Sequence, residues 1–131
     1  MKESLDQKRA RFAWEKVQPQ SDEYADLAKG APALIMQSGL MSVLAFYRDK
    51  GKAHHKALLD HLCTWLHQQF KERIVSPQFS TVMATLMGSA GGDAADHARF
   101  YQQATAEVMA LLRWIRQFAA AVCEGKGGAN G

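Results

Sequence analysis

The C-terminal part of the chain carries an unbroken apolar stripe with the period of an α-helix, from about Asp93 to Cys123. Its apolar members recur three or four residues apart: Phe100, Ala104, Val108, Leu111, Leu112, Ile115, Phe118, Ala119 and Val122. A helix with such a stripe must bury it against other elements, because water would otherwise cover the apolar side. We therefore predict that this last helix supplies much of the core, and Asp93 is the predicted cap at its start.

The rest of the chain also has helical period, and no alternating pattern indicates a strand. The four earlier predicted helices span Ser4 to Gln18, Ser21 to Asp49, Ala53 to Arg73 and Ser80 to Met87. Pro19 ends the first of them, because the residue before a proline is pushed out of the helical region. The Gly30–Pro32 step predicts a kink in the second. The predicted fold is all-α, a compact single-domain bundle of about five to six helices.

Length and composition agree with one small domain. The chain has 131 residues, of which 47% are hydrophobic and 22% charged, so it can bury one sizeable core. We expect residues 1–123 to form the helical domain and the glycine-rich residues 124–131 to form a flexible tail. Cys63 and Cys123 lack CxxC spacing and are expected to be small buried residues in a reducing cytoplasm. The uncharged stretch Gly30–Tyr47 is too short and too polar to span a membrane.

Sequence signatures of catalysis and of metal binding are absent. The histidines form neither HExxH nor ExxH, and no GxSxG motif is present. The glycine-rich segment GSAGGD does not follow a strand and lacks the lysine of a phosphate-binding loop. We therefore predict that the protein is not an enzyme and has no metal and no cofactor. An enzyme with an unfamiliar helical site stays as an alternative hypothesis.

Positive charge is modest overall and concentrated on particular helices. Lysine and arginine number 16 against 13 aspartate and glutamate, a net charge of +3, which permits nucleic-acid binding without demanding it. The candidate RNA-binding residues are Lys8, Arg9, Arg11, Lys16, Lys50, Lys52, Arg113 and Arg116. Guanidinium groups pair well with phosphate oxygens. The alternative is that these cations form solvated helix edges or neutralise helix C-termini.

Each of the three tryptophans could lie in the core or in a contact at the surface. Trp14 and Trp65 are expected in the core, given their spacing among apolar residues. Trp114 lies toward one side of the last apolar stripe, with Arg113 and Arg116 beside it. These two arginines are expected to face either RNA phosphate or a partner protein, and the sequence does not distinguish the two.

Four stretches, taken in order and at their spacing, carry a family resemblance. They are KRARFAWEKV (Lys8–Val17), YADLAKGAPALIMQSGLMSVLAFYRDKG (Tyr24–Gly51), LCTWL (Leu62–Leu66) and YQQATAEVMALLRWIRQFAAA (Tyr101–Ala121). Together they resemble the small α-helical subunit of the type III-B CRISPR effector, the Cmr complex. The resemblance covers nearly the whole chain and is weakest between Ile74 and His97.

The resemblance implies a non-catalytic building block of an RNA-guided complex in antiviral defence. Copies of such a subunit stack head to tail into a minor filament, beside the backbone subunits that hold the CRISPR RNA. Target RNA pairs with that guide, and the large polymerase-like subunit lies at the base. The cations would then contact phosphates, because base pairing reads the sequence. A free-standing helical nucleic-acid-binding regulator is the alternative function, although no helix-turn-helix pattern is visible.

Overall fold

Six helices make up the part of the chain that the computed structural model describes, residues 3–88 and 92–127, with side chains described as far as Cys123. They are α1 (Leu5–Val17), α2 (Asp22–Ser38), α3 (Leu40–Lys50), α4 (Ala53–Gln69), α5 (Phe79–Met87) and α6 (Ala94–Gly127). These residues contain no strand, so the predicted all-α fold is confirmed. None of the described helices is both long enough and apolar enough to cross a membrane. Residues 124–127, the first half of the predicted tail, belong to α6, and residues 128–131 lie outside the described part.

Polar side chains set where the main helices begin. The Ser4 hydroxyl accepts from the Gln7 N–H at 3.1 Å, and the Gln7 side chain accepts from the Ser4 N–H at 2.8 Å. This reciprocal capping box satisfies two N–H groups at the start of α1. Ser21 caps α2, and Oδ1 of Asp93 accepts from the Asp96 N–H at 2.7 Å at the start of α6. The predicted caps of α2 and α6 are confirmed.

The predicted second helix is in fact two helices, and the break lies at Gly39. Gly39 has a φ of 89°, in the region that favours glycine over residues with a Cβ. The Tyr101 hydroxyl of α6 accepts from the Met41 N–H at 3.0 Å, which satisfies a donor in the first turn of α3. The Gly30–Pro32 step, where the sequence predicts a kink, lies within α2. The break depends on a tertiary contact, so local sequence did not show it.

α4 ends at Gln69, earlier than the predicted end at Arg73. The Phe70 carbonyl accepts from the N–H groups of Arg73 at 3.0 Å and Ile74 at 2.7 Å, which closes a tight turn. Nδ1 of His67 donates to the Ile74 carbonyl at 2.7 Å. The turn leaves Ile74 fully buried. Burial of this apolar side chain stabilises the turn over a further turn of helix.

α6 and α4 form the centre of the bundle. α6 packs against α1, α2 and α4, and α4 also packs against α2, α3 and α5. The predicted α6 stripe lies in the core, although Phe118 and Val122 are only partly buried. Apart from Ile74 in the turn after α4, the largest fully buried side chains come from every helix except α1: Tyr24, Leu40, Leu44, Tyr47, Leu58, Leu62, Leu66, Leu86, Leu111, Leu112 and Ile115.

The core position predicted for two tryptophans is confirmed for Trp65 and is wrong for Trp14. Trp65 is 2% exposed and its ring centroid lies 4.9 Å from that of Phe12, so its core position is confirmed. Trp14 is 48% exposed, so the core expectation is wrong for this residue. Its ring instead packs edge-on against Phe118 at 5.2 Å, on the outer side of the α1–α6 contact. Apolar spacing alone did not reveal which edge of α1 remains uncovered.

Both cysteines are buried, as the sequence predicts, and they are not joined in a disulfide bond. Burial raises the pKa of the Cys63 thiol to about 12, so it stays protonated near neutral pH. The Cys123 thiol donates to the Gln20 carbonyl at 3.4 Å, which joins the end of α6 to the loop after α1. These residues act in packing.

Candidate nucleic-acid interface

The candidate cations fall into two groups in the structure. The first group lies on α1 and α6 and consists of Lys8, Arg9, Arg11, Lys16, Arg113 and Arg116. The second consists of Lys50 and Lys52, at the turn between α3 and α4. Packing of α1 against α6 brings the first group together from two distant parts of the sequence.

Arg9 is held within the protein. Its Nε donates to Glu107 Oε2 at 2.7 Å, and its Nη2 donates to Oε1 at 2.9 Å. The Trp65 indole N–H donates to the same Oε2 at 2.9 Å. The hydrogen bonds to Glu107 raise the pKa of Arg9 above its ordinary value. Burial acts to raise the pKa of Glu107, but the bonds from Arg9 and Trp65 outweigh it and leave that pKa lowered.

Asp6 extends this arrangement to the next turns of α6. Its Oδ1 accepts from Arg9 Nη1 at 3.2 Å and from the Trp114 indole N–H at 3.0 Å. Its Oδ2 lies 3.5 Å from Nη2 of Arg113. The Trp114 hydrogen bond, helped by the two arginines, lowers the pKa of Asp6. We name Asp6, Arg9, Trp65, Glu107 and Trp114 the Arg9 network, and it links α1, α4 and α6.

The other α1 cations differ in how firmly the protein engages them. Lys8 is exposed and has no partner among the described residues. Arg11 is also exposed and pairs with Glu3. Lys16 is half-buried, with its Nζ 5.3 Å from the centre of the Phe12 ring. An exposed ion pair is weak, so Arg11 can exchange Glu3 for another anion at small cost.

Arg113 and Arg116 have different surroundings, although they lie three residues apart. Arg113 is 65% exposed, contacts Asp6, and places its guanidinium carbon 5.6 Å from the centre of the Trp114 ring. Arg116 is exposed and forms no ion pair with any described carboxylate. Trp114 is half-buried and stacks on Phe118 with ring centroids 5.5 Å apart. Arg116 is thus the freer cation of the two.

The α3–α4 turn presents the second group. Gly51 ends α3 in the left-handed conformation, with a φ of 66°, and Lys50 and Lys52 flank it with both side chains exposed. The Lys50 Nζ lies 5.8 Å from the centre of the Phe46 ring. His55 is buried behind the turn, and burial first, then the charges of His54 and the two lysines, lower its pKa. The turn is therefore cationic, and one of its two lysines lies over an aromatic ring.

Two features were missed by sequence reasoning. One is the carboxylate of Glu107, which is 9% exposed and lies beside the apolar stripe of α6. A lone acidic residue next to a core position was the available signal, because such a group needs a buried partner. The other is Arg48, whose guanidinium carbon lies 5.0 Å from the centre of the Phe79 ring on α5. No local pattern connects residues so far apart in the chain.

Metal-ligating side chains do not gather anywhere in the described chain. Among residues 3–88 and 92–123, no group of three or more His, Cys, Asp and Glu side chains could hold a metal ion. The candidate residues instead offer cationic, hydrogen-bond-donating groups. Such groups suit phosphate or carboxylate oxygens.

Comparison with known proteins agrees with this picture over most of the chain. The chain matches the family described as CRISPR-associated protein (Cas_Cmr5) over residues 5–122, which include α1 to α5 and most of α6. It is 30% identical over 121 residues to the CRISPR system Cmr subunit Cmr5 of Thermus thermophilus, covering 88% of this chain and 92% of that relative. The resemblance to the small subunit of the type III-B Cmr complex is thereby confirmed. The chain belongs to the Cas_Cmr5 family of CRISPR-associated proteins.

Proposed function

We propose that the protein is a non-catalytic structural subunit of a type III-B CRISPR RNA-guided ribonucleoprotein in antiviral defence. Copies stack head to tail into a minor filament along the duplex of guide RNA and target RNA. The filament contacts the backbone subunit and the large polymerase-like subunit, in the cytoplasm. Family membership supports this proposal, as does the relative that is named a Cmr subunit.

The observation that carries the RNA-holding role is a set of exposed cations without carboxylate partners in the described chain. These are Lys8 on α1, Lys50 and Lys52 at the α3–α4 turn, and Arg116 on α6. Phosphate contacts fix the position of a duplex without reading its sequence. Guide pairing supplies the sequence specificity, so a subunit of this kind needs local rather than large positive charge.

The remaining candidate cations differ in how readily they could bind RNA, because each already has a contact within the protein. Arg11 and Arg113 are exposed but paired with Glu3 and Asp6, so they can contribute after exchanging a weak partner. Lys16 is half-buried beside Phe12. Arg9 is engaged twice by Glu107, so we assign it a structural role and leave it out of the proposed RNA contacts.

Head-to-tail stacking requires two different protein-binding faces on each copy. Exposed large apolar side chains occur on separate helices: Trp14 on α1, Met36 on α2, Phe46 on α3 and Met87 on α5. Isolated apolar residues are common on protein surfaces, but partners that bury them gain free energy in proportion to the area covered. Their separation is consistent with more than one protein contact.

The first experiment is a mild affinity purification from the native cell, with mass spectrometry and RNA extraction. Recovery of several other subunits with a discrete short RNA of CRISPR-repeat origin would support the proposal. Recovery of the protein alone, without RNA, would overturn it. Sequence-specific nucleic-acid binding by the isolated chain would favour the regulator instead.

The RNA-holding role has a second test in the reassembled complex. Lys8→Glu with Arg116→Glu should leave assembly intact and weaken target-RNA binding, because neither side chain has a partner among the described residues. Lys29→Glu with Lys71→Glu is the matched control, since both lysines are exposed, neither is a candidate contact, and the two changes alter the net charge by the same amount. Equal target-RNA affinity for the double variant and the control would contradict the role of these edges.

A further inference from the structure

A groove of about 1100 Å³ lies between the end of α3, the first half of α4 and the start of α5. The side chains that line it and carry charge or hydrogen-bonding groups are Arg48, Lys56, Asp60, Cys63, Gln78 and Ser80. Pro77 and Phe79 supply apolar wall. The charged residues of this lining are two cations, Arg48 and Lys56, and one carboxylate, Asp60, so its formal net charge is +1. Arg48 and Lys56 are the two ends of the densest basic run in the sequence, RDKGKAHHK, although neither is among the candidate RNA-binding residues named above.

Arg48 is the cation that the structure positions most firmly in the groove. Its guanidinium carbon lies 5.0 Å from the centre of the Phe79 ring, and the side chain forms no ion pair with a described carboxylate. A guanidinium that rests on an aromatic face keeps its N–H groups free for an anion. The stacking therefore orders the side chain without neutralising it.

The start of α5 adds hydrogen-bond donors to the same opening. α5 spans nine residues and begins after Gln78, and no side chain caps its first N–H groups. The first intrahelical bond is the one from the Val82 N–H to the Gln78 carbonyl, at 3.0 Å. The earlier N–H groups point out of the helix end, where the helix dipole also favours an anion.

No anionic side chain of the lining is paired with its two cations in the described chain. Cys63 lines the groove, is 2% exposed and has no hydrogen-bond partner among the described groups. Burial keeps this thiol protonated, so it adds no negative charge. Asp60 is exposed and forms no ion pair with Arg48 or Lys56 within the described chain. Both cations are consequently available.

We infer that this groove binds a backbone phosphate of RNA, with Arg48 and Lys56 as the cations and the first N–H groups of α5 as donors. The inference rests on the proposed function and extends its interface. Lys50 and Lys52 lie at the turn between these two cations in the chain, outside the lining of the groove. An acidic peptide could use the same charges, but a tetrahedral phosphate uses the helix end and the guanidinium together.

The test uses the full chain and three variants. Arg48→Ala with Lys56→Ala removes the cations. Ser80→Glu puts a carboxylate in the first turn of α5, which favours the helix through its dipole but repels phosphate. Lys29→Ala is the control, an exposed lysine outside the groove. Binding of a short RNA duplex, inorganic phosphate and an acidic peptide is followed by fluorescence anisotropy and by NMR of the backbone amides.

The expected result is specific to the groove. RNA and phosphate should shift the amide signals of Phe79, Ser80 and Thr81 in the wild-type chain. The double variant and Ser80→Glu should each bind RNA about tenfold more weakly. In the double variant, the slope of log affinity against log salt concentration should also become shallower, by the amount that about one lost phosphate contact or more would cause. Lys29→Ala should behave as wild type. Circular dichroism and thermal unfolding check that every variant is folded.

Other outcomes separate the inference from the proposed function. Wild-type RNA affinity in both groove variants would overturn the inference and leave the proposed function standing. Tight, groove-dependent binding of the acidic peptide without RNA or phosphate binding would also overturn it, and would assign the groove to a protein partner. Failure of the wild-type chain to enter any ribonucleoprotein would instead count against the proposed function.

Discussion

The hydroxyl of Tyr24 on α2 lies 2.8 Å from Nδ1 of His61 on α4, and both side chains are buried. Their rings meet edge to face with centroids 5.4 Å apart. Burial, helped by the charge of Lys16, lowers the pKa of His61 to about 4 from 6.5. A neutral imidazole is thus part of the α2–α4 contact, and protonating it places an uncompensated charge in the core.

Stability should therefore depend on pH through His61. The folded-state pKa lies below the unfolded one, so the unfolded chain binds the proton more readily between about pH 6.5 and 4. Above that window, the contribution of His61 to the free energy of unfolding should not change with pH. As the pH drops through the window, the free energy of unfolding should fall by about 3 kcal/mol. Urea denaturation across the window measures the fall. His61→Gln should remove most of it, and an unchanged slope in that variant would assign the effect to other groups.

The Arg9 network should contribute more to stability than a surface ion pair. Glu107→Ala leaves Arg9 without its bidentate partner, with the arginine side chain only 18% exposed. We expect a loss of about 3 kcal/mol in the free energy of unfolding. The control is Arg11→Ala, which removes an exposed pair and should cost less than about 1 kcal/mol. Equal losses in chemical denaturation would show that the network does not stabilise the α1–α6 contact.

The loss of stability when each of the three tryptophans is replaced by alanine should increase with the burial of its ring. Trp65→Ala empties a core position and should cost about 3–5 kcal/mol. Trp114→Ala should cost about 2 kcal/mol, because the ring is half-buried but donates to Asp6. Trp14→Ala should cost less than about 1 kcal/mol in the isolated chain. Thermal and urea unfolding give the ranking, and a large loss for Trp14 would mean that its packing on Phe118 is a stabilising contact.

Two glycines offer a paired test of backbone conformation. Gly88 has a φ of 89°, and a Cβ there would lie 3.2 Å from the His97 ring. Gly88→Ala should therefore destabilise the protein by about 1–2 kcal/mol. Gly30 lies inside α2, and a Cβ there meets nothing within 4 Å. Gly30→Ala should stabilise by about 0.5–1 kcal/mol, because alanine loses less backbone entropy on forming a helix. Changes of the same sign would contradict the assignment of their backbone roles.

The helical class, the core stripe of α6 and the caps at Ser21 and Asp93 could be read from the sequence alone. Each depends on spacing within one segment or on a side chain close to the backbone group it binds, and these interactions are local. The family resemblance was also visible in the sequence, because it rests on residues in order along the chain. The identity of the candidate cations was equally plain, since charge is a property of the residue type.

The tertiary structure decided which of those residues are available. Arg9 and Arg116 look alike in sequence, yet Glu107 engages the first and no described carboxylate engages the second. The break at Gly39, the exposure of Trp14 and the stacking of Arg48 on Phe79 also depend on residues brought together from distant segments. Local periodicity fixes which side of a helix is apolar, but long-range packing determines how much of that side is covered and which charges are left facing solvent.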